Sequence, residues 1–193
     1  MSRRYELRLS GTGGQGVVLA GIILAEAAGR WRADQHVVQT VSYGPQVRGG
    51  LSSAEVVISD EPIDYPKPLR LDLLIPFTQE AAAEGAGLLK PQGILVQDPA
   101  LVDHAPPGWV AEIPLTALAR ETAGRAQSAN IVALGVVAVL CPFVDPEALE
   151  AAIRERTSAR LLDSFLKAAE AGRRAAESIK DRIFLEEEPS PED

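Results

Sequence analysis

The stretch RLSGTGGQGVVLAGIILAEAAG, residues 8–29, places a glycine-dense turn between a short apolar run and a long one. Gly11, Gly13, Gly14 and Gly16 fall within six residues. Glycine at that density costs chain entropy, so it marks a backbone that turns sharply or approaches something closely. Upstream, YELRLS (Tyr5–Ser10) alternates apolar and polar residues, which predicts a strand. Downstream, Val18, Leu19, Ile22, Ile23 and Ala27 recur at helical spacing from Gln15 to about Gly29. Strand, glycine turn and helix together open an α/β unit.

Working outward, HVVQTVS (His36–Ser42) predicts the next strand, expected to lie parallel to the first across a right-handed crossover. SSAEVVIS (Ser52–Ser59), LDLLIPF (Leu71–Phe77), GILVQD (Gly93–Asp98) and WVAEIP (Trp109–Pro114) read as further strands. DEPIDYPKP between two of them holds three prolines in nine residues and predicts a surface excursion. A short alanine-rich helix is expected at residues 78–86. The chain then turns helical. TALARETAG is short, and SANIVALGVVAVLCP is apolar nearly all round, which predicts burial. DPEALEAAIRER starts with Asp145 as N-cap and Pro146 at the first helical position. A last helix is predicted from Arg160 to Ile179. The fold expected is α/β, a three-layer Rossmann-like arrangement with a mostly parallel sheet and C-terminal helices. Residues 1–185 form one domain in this reading, and 186–193, with five acids and two prolines, form a solvated tail.

The bulk properties exclude several functions. A net charge of −8 argues against a nucleic-acid binder, which needs a basic footprint. The single cysteine, Cys141, excludes an internal disulfide, a cysteine-only zinc site, or an iron–sulfur cluster held by this chain alone. Its apolar setting, VVAVLCPF, predicts a buried, inert thiol. MSRRYELRLS lacks the apolar core of a signal peptide, and Ile131–Cys141 is too short to span a bilayer. A cytoplasmic protein without membrane attachment is expected. His36 and His104 have no companions at metal-ligand or triad spacing, and no G-x-S-x-G or H-E-x-x-H occurs.

GTGGQG matches G-x-G-x-x-G through Gly11, Gly13 and Gly16. Two readings stand. One is an anion site, where exposed N–H groups and a positive helix end meet a phosphate. The other is a tight turn whose glycines only let helix and strand pack. A dinucleotide site requires an acid at the end of the second strand for the ribose, and QTVSYG carries none. A Walker site requires G-K-[ST], and Gly16 is followed by Val17 and Val18. A second glycine-rich segment, SYGPQVRGG (Ser42–Gly50), follows a strand expected beside the first loop. There Tyr43 offers a ring and a hydroxyl, Arg48 an anion partner, and Gly44, Gly49 and Gly50 close approach.

GTGGQGVVLAGIILAEAA, VVQTVSYGPQVRGGLSSAEVVISDEPIDYP and SANIVALG, in that order, resemble the gamma subunit of the 2-oxoacid:ferredoxin oxidoreductases, over roughly residues 5–175. The likeness is greatest to the 2-oxoglutarate (KorC-type) branch within the pyruvate/ketoisovalerate oxidoreductase gamma domain family. One departure is Gln46, where that branch typically carries Glu. The resemblance implies a subunit of an enzyme that decarboxylates a 2-oxoacid, passes two electrons to ferredoxin and transfers the acyl group to coenzyme A. It also implies alpha and beta partners and a ferredoxin-like delta partner, which would carry thiamine diphosphate, magnesium and the iron–sulfur clusters. The isolated chain is expected to be inactive. Coenzyme A is the ligand the resemblance suggests for Gly11, Gly13, Gly14, Gln15 and Gly16 with Tyr43, Gly44, Arg48, Gly49 and Gly50. Three alternatives are a pyruvate, isovalerate or indolepyruvate branch, a purely structural docking module, and a free-standing nucleotide- or flavin-binding protein.

Overall fold

A computed structural model describes residues 3–44, 50–106 and 108–185. The tail expected at 186–193 lies outside the described residues. In chain order the elements are β1 (Arg4–Thr12), α1 (Val17–Trp31), β2 (His36–Tyr43), β3 (Leu51–Ser59), β4 (Leu71–Pro76), α2 (Gln79–Ala86), β5 (Leu89–Gln97), β6 (Trp109–Glu112), α3 (Leu115–Ala123), a 3-10 turn (Ala126–Ser128), α4 (Ala129–Leu140), α5 (Pro146–Arg156) and α6 (Ala159–Leu185). Each strand and helix read from the sequence is present. Asp145 caps α5 as its type and position predict, its side chain accepting from the Glu147 and Ala148 N–H groups. Thr78 does the same for α2 through the Ala81 N–H.

The six strands form one sheet in the order β2-β3-β1-β4-β5-β6. β1, β4, β5 and β6 pair parallel with one another in that order. β3 runs antiparallel to both β1 and β2. The expected β1–β2 neighbourhood is therefore corrected. β2 points the same way as β1, but β3 is inserted between them. The linker between β2 and β3 is too short for a parallel crossover, which needs a dozen or more residues, so β3 must return as a hairpin. It does so into the slot beside β1.

Alternation along the strands divides the side chains between two faces. One face presents Leu7, Leu9, Val56, Ile58, Leu73, Ile75 and Val96 to α1 and to the C-terminal helices. Each such aliphatic side chain taken from water contributes about 1.5–3 kcal/mol. The opposite face carries a smaller cluster, Leu71, Leu74 and Leu95, beside α2. That face also carries buried charge held in ion pairs and hydrogen bonds, with Arg8 Nε left without a partner. Arg8 Nη2 donates to Glu55 Oε1 at 2.6 Å and Thr40 Oγ1 donates to Glu55 Oε2. Glu6 accepts from the Leu69 and Arg70 N–H groups at 2.7 and 2.8 Å. Arg4 donates to the carbonyls of Tyr65 and Lys67. These bonds tie the proline-rich excursion 60–70 to the end of the sheet.

Burial on all sides makes α4 the central helix, as its apolar circumference predicts. It crosses α6 at very close range through two small residues. A methyl added to Gly135 would lie 1.8 Å from the Ala169 carbonyl oxygen, and one on Gly172 would lie 1.9 Å from that of Val132. No side-chain rotation relieves a clash with backbone. Gly135→Ala is expected to destabilise the chain by roughly 3 kcal/mol, since the helices must separate. Gly29→Ala in α1 faces open space and is expected to be neutral or slightly stabilising. Urea denaturation of the two variants checks the contrast.

Candidate functional site

β1 ends directly in the glycine turn, and the four glycines do different work. Gly16, the N-cap of α1, has φ +72°, and Gly14 has φ +93°, conformations that side-chain-bearing residues resist. A methyl on Gly16 would also strike the Asn130 amide at 2.4 Å, and one on Gly11 would lie 2.9 Å from Phe77 Cβ and 2.3 Å from Gln15 Oε1. Gly11 and Gly16 are thus enclosed by protein. Gly13 and Gly14 meet nothing within 4 Å. They are the two positions where glycine leaves open room.

Gln15 holds this turn in shape. Its Oε1 accepts from the Thr12 N–H at 2.6 Å and from Thr12 Oγ1, and its Nε2 donates to the Phe77 carbonyl at 2.9 Å. Its carboxamide is committed to the loop and to the end of β4. Asn130 supplies a second clamp, donating from Nδ2 to the Gly16 carbonyl at 3.0 Å. Asn130 is a site residue that motif matching alone does not single out within SANIVALG. The signal was there, because a lone amide in an otherwise apolar helix must find a partner when buried.

The turn and the end of β2 face each other across a cleft of about 420 Å³. Gly13, Gly14 and Gly16 with Val17 form one wall, and Tyr43, Gly44 and Gly50 form the other. Gly44 donates its N–H to the Leu51 carbonyl at 2.7 Å, closing the base of the β2–β3 connection. Tyr43 stands at the mouth with 74% of its surface exposed. At the start of α1 no side chain caps the free N–H groups, and the first turn carries no acid. The positive end of that helix is therefore uncompensated where Val17 and Val18 line the cleft. Arg48 and Gly49, together with Gln46, lie outside the described residues. Thr12, Leu51 and Ser52 also line the cleft and were not singled out in the sequence.

Strand direction explains the missing ribose acid. In a dinucleotide fold the strand beside β1 is parallel to it and ends at the ligand. Here that strand is β3, which begins there, with Gly11 opposite Ser52 and Thr12 opposite Leu51. On that side β1 therefore has the start of a strand beside it, and the β2 end one place further out carries Tyr43 and Gly44 in place of an acid.

Elsewhere, His36 and His104 are exposed. Among the described residues no group of three or more His, Cys, Asp or Glu side chains could hold a metal ion. Cys141 is buried, and that burial pushes its thiol up to about 12. Among the described residues no single helix is long and apolar enough to cross a membrane.

The family profile described as pyruvate ferredoxin/flavodoxin oxidoreductase matches residues 6–175. The chain belongs to this family. The 2-oxoglutarate synthase subunit KorC of Methanocaldococcus jannaschii is 45% identical over 78% of this chain and 82% of its own length. That of Methanothermobacter marburgensis is 39% identical over 88% and 95%. The crystal structure of a keto/oxoacid ferredoxin oxidoreductase gamma subunit from Geobacter sulfurreducens PCA shares the fold at a TM-score of 0.81. It is 40% identical, and the match covers 91% of this chain and 98% of that one. Within the oxidoreductase family the chain is thus similar to stand-alone gamma-type subunits along nearly their whole length.

Two outcomes follow for this member of the family. Gln15→Ala strips partners from the Thr12 N–H and the Phe77 carbonyl and is expected to cost about 2 kcal/mol, whereas Gly13→Ala should change stability by less than about 0.5 kcal/mol. Denaturant titration distinguishes them. Cys141 is held neutral in the fold, so its contribution to stability is full below the ordinary thiol value near 9 and is lost as pH rises toward 12. At pH 8 a thiol-specific reagent is expected to label native protein only at the rate of unfolding.

Proposed function

We propose that this chain is the gamma subunit of a cytoplasmic 2-oxoacid:ferredoxin oxidoreductase that acts on 2-oxoglutarate, and that it holds coenzyme A while partner chains perform the chemistry. The reaction releases carbon dioxide, passes two electrons to ferredoxin and joins the acyl group to the coenzyme thiol. The observation that carries the coenzyme part is the pair Gly13 and Gly14, open on a cleft where an uncompensated helix start supplies N–H groups. A phosphate group fits such a cradle, since missing Cβ atoms admit it to backbone distance. Tyr43 at the mouth offers a ring for a purine face. The similarity to KorC subunits supports the choice of 2-oxoglutarate.

The chain's residues do not fit the other groups that the reaction needs. Thiamine diphosphate with its metal calls for a G-D-G segment with a downstream Asn, and the sequence has no G-D-G. A cluster calls for several cysteines, and the one present is buried in the core. Alpha and beta subunits, and a delta subunit bearing ferredoxin-like clusters, are the partners this reading requires. The role left to this chain is to bind and orient the acyl acceptor.

Isothermal titration of the assembled complex with coenzyme A tests the reading. Gly14→Val places a branched side chain in the cradle at a left-handed φ. It is expected to weaken binding at least tenfold, about 1.4 kcal/mol, with subunit assembly retained. Unchanged affinity would assign the two loops to subunit docking instead.

A further inference from the structure

The glycine turn has a second side. β1 leads into α1 on one face of the sheet, whereas β4 leads into α2 on the other, where Gly85 packs on Leu74. β1 and β4 are parallel neighbours, so the carboxyl ends of these two strands form a topological switch point. Open α/β sheets bind ligands at that place. The crevice there is a separate cavity of about 250 Å³, lined by Gln15, Phe77, Leu101, Thr116, Arg120 and Gln127. Gln15 lines this cavity, while its chain neighbours Gly14 and Gly16 line the cleft described above.

Three observations make this a built cavity. First, its walls are fixed from beneath by Asp98, which is fully buried. Asp98 accepts from the Thr116 N–H at 2.7 Å, from Thr116 Oγ1 at 2.5 Å and from the Ala100 N–H at 3.0 Å, so both carboxylate oxygens are occupied. The loop after β5 and the start of α3 are thereby locked together. Second, among the described residues no acid lines the cavity, and the carboxylate next to it, Asp98, is taken up by Ala100 and Thr116, in a chain with 27 acidic against 19 basic residues. Third, the Arg120 guanidinium has no side-chain or carbonyl partner among the described residues. Most other described arginines are in ion pairs, among them Arg4, Arg8, Arg30 and Arg156, while Arg70 and Arg125 donate to the Gly87 carbonyl and the Ser128 hydroxyl and Arg3 lies over the Phe143 ring. A place in the last turn of α3 accounts for a cation there, but not for an acid-free cavity beneath it.

We infer that this crevice is a second ligand site, taking an anionic head, a phosphomonoester or a carboxylate, on Arg120 and Gln127, with the attached apolar part against Phe77 and Leu101. Arg120 and Gln127 stand exposed at the rim of the cavity, above the buried Phe77 and the half-buried Leu101, and a guanidinium offers an anion paired, charge-assisted hydrogen bonds. The assignment stands independently of the coenzyme reading. Two sources share the chemistry, the ribose 3′-phosphate of a coenzyme lying across the turn and a free small anion.

The test is NMR titration of the full-length chain, reading backbone amides of Leu101, Arg120 and Gln127. Inorganic phosphate is expected to shift these signals, with affinity about tenfold weaker in Arg120→Ala and only partly restored in Arg120→Lys, which keeps the charge and loses the paired donors. Gly14→Val, which acts on the cleft, should leave this response in place and so separates the two sites. Coenzyme A shifting the three amides where dephospho-coenzyme A does not would identify the ribose phosphate as the head. 2-Oxoglutarate shifting them on its own would identify a free carboxylate. Signals that stay still with phosphate, or move equally in Arg120→Ala, overturn the assignment.

Discussion

Because β3 runs against β1, with Gly11 opposite Ser52 and Thr12 opposite Leu51, the segment joining β2 to β3 has to leave the sheet beside the glycine turn. Backbone hydrogen bonding enforces this register along nine consecutive pairs, from Arg4 with Ser59 to Thr12 with Leu51. Side-chain alternation reinforces it. A slip of one residue would turn Val56 and Ile58 away from α1 and bring Glu55 and Val57 to that face. The cleft therefore inherits its geometry from a ladder that also builds the core. Its two walls come from segments about 30 residues apart in the chain, held together by one antiparallel pairing.

Within that frame the glycine turn divides its labour. Gly11 and Gly16 are glycines because Phe77, Gln15 and Asn130 occupy the space a side chain would need. Gly13 and Gly14 are glycines with nothing in that space. Packing explains the first pair fully and the second pair not at all, although φ +93° gives Gly14 a conformational reason of its own. Close packing thus accounts for Gly11 and Gly16, whereas Gly13 and Gly14 leave the room that a close approach would need. Gln15 pins the turn to the end of β4 and lines the smaller cavity, while Gly13, Gly14 and Gly16 line the cleft.

The described part of the chain carries little reactive chemistry of its own. Its thiol is buried and its histidines are exposed, while most of its arginines are spent on ion pairs. What it presents is shaped surface, two cavities meeting at the carboxyl ends of a parallel sheet and a proline-rich excursion tied down by Glu6 and Arg4. The likeness to a gamma subunit of an oxidoreductase that is a chain of its own, matched over 98% of its length, is consistent with that division between surface and chemistry.

The elements themselves were legible in the amino-acid sequence, since periodicity, capping residues and proline placement are local properties. Asp145 and Thr78 cap where their type and position say they should, and the apolar circumference of Ile131–Cys141 meant burial before any packing was known. The absence of an acid after β2 and of a lysine after Gly16 was equally readable, and it excluded the two common phosphate-site types. Strand order was not legible, because it depends on which hydrogen-bonding edges meet, and no residue in SSAEVVIS states that it lies between β2 and β1. Nor could the sequence tell an enclosed glycine from an open one, or a committed Gln15 from a free one. Those distinctions depend on Phe77 and Asn130, which lie 62 and 114 residues from the groups they touch. Composition and spacing by themselves determined the class of fold and the chemistry it could not perform. Only the tertiary structure decided which backbone faces open space, because that is set by distant atoms brought within a few ångströms.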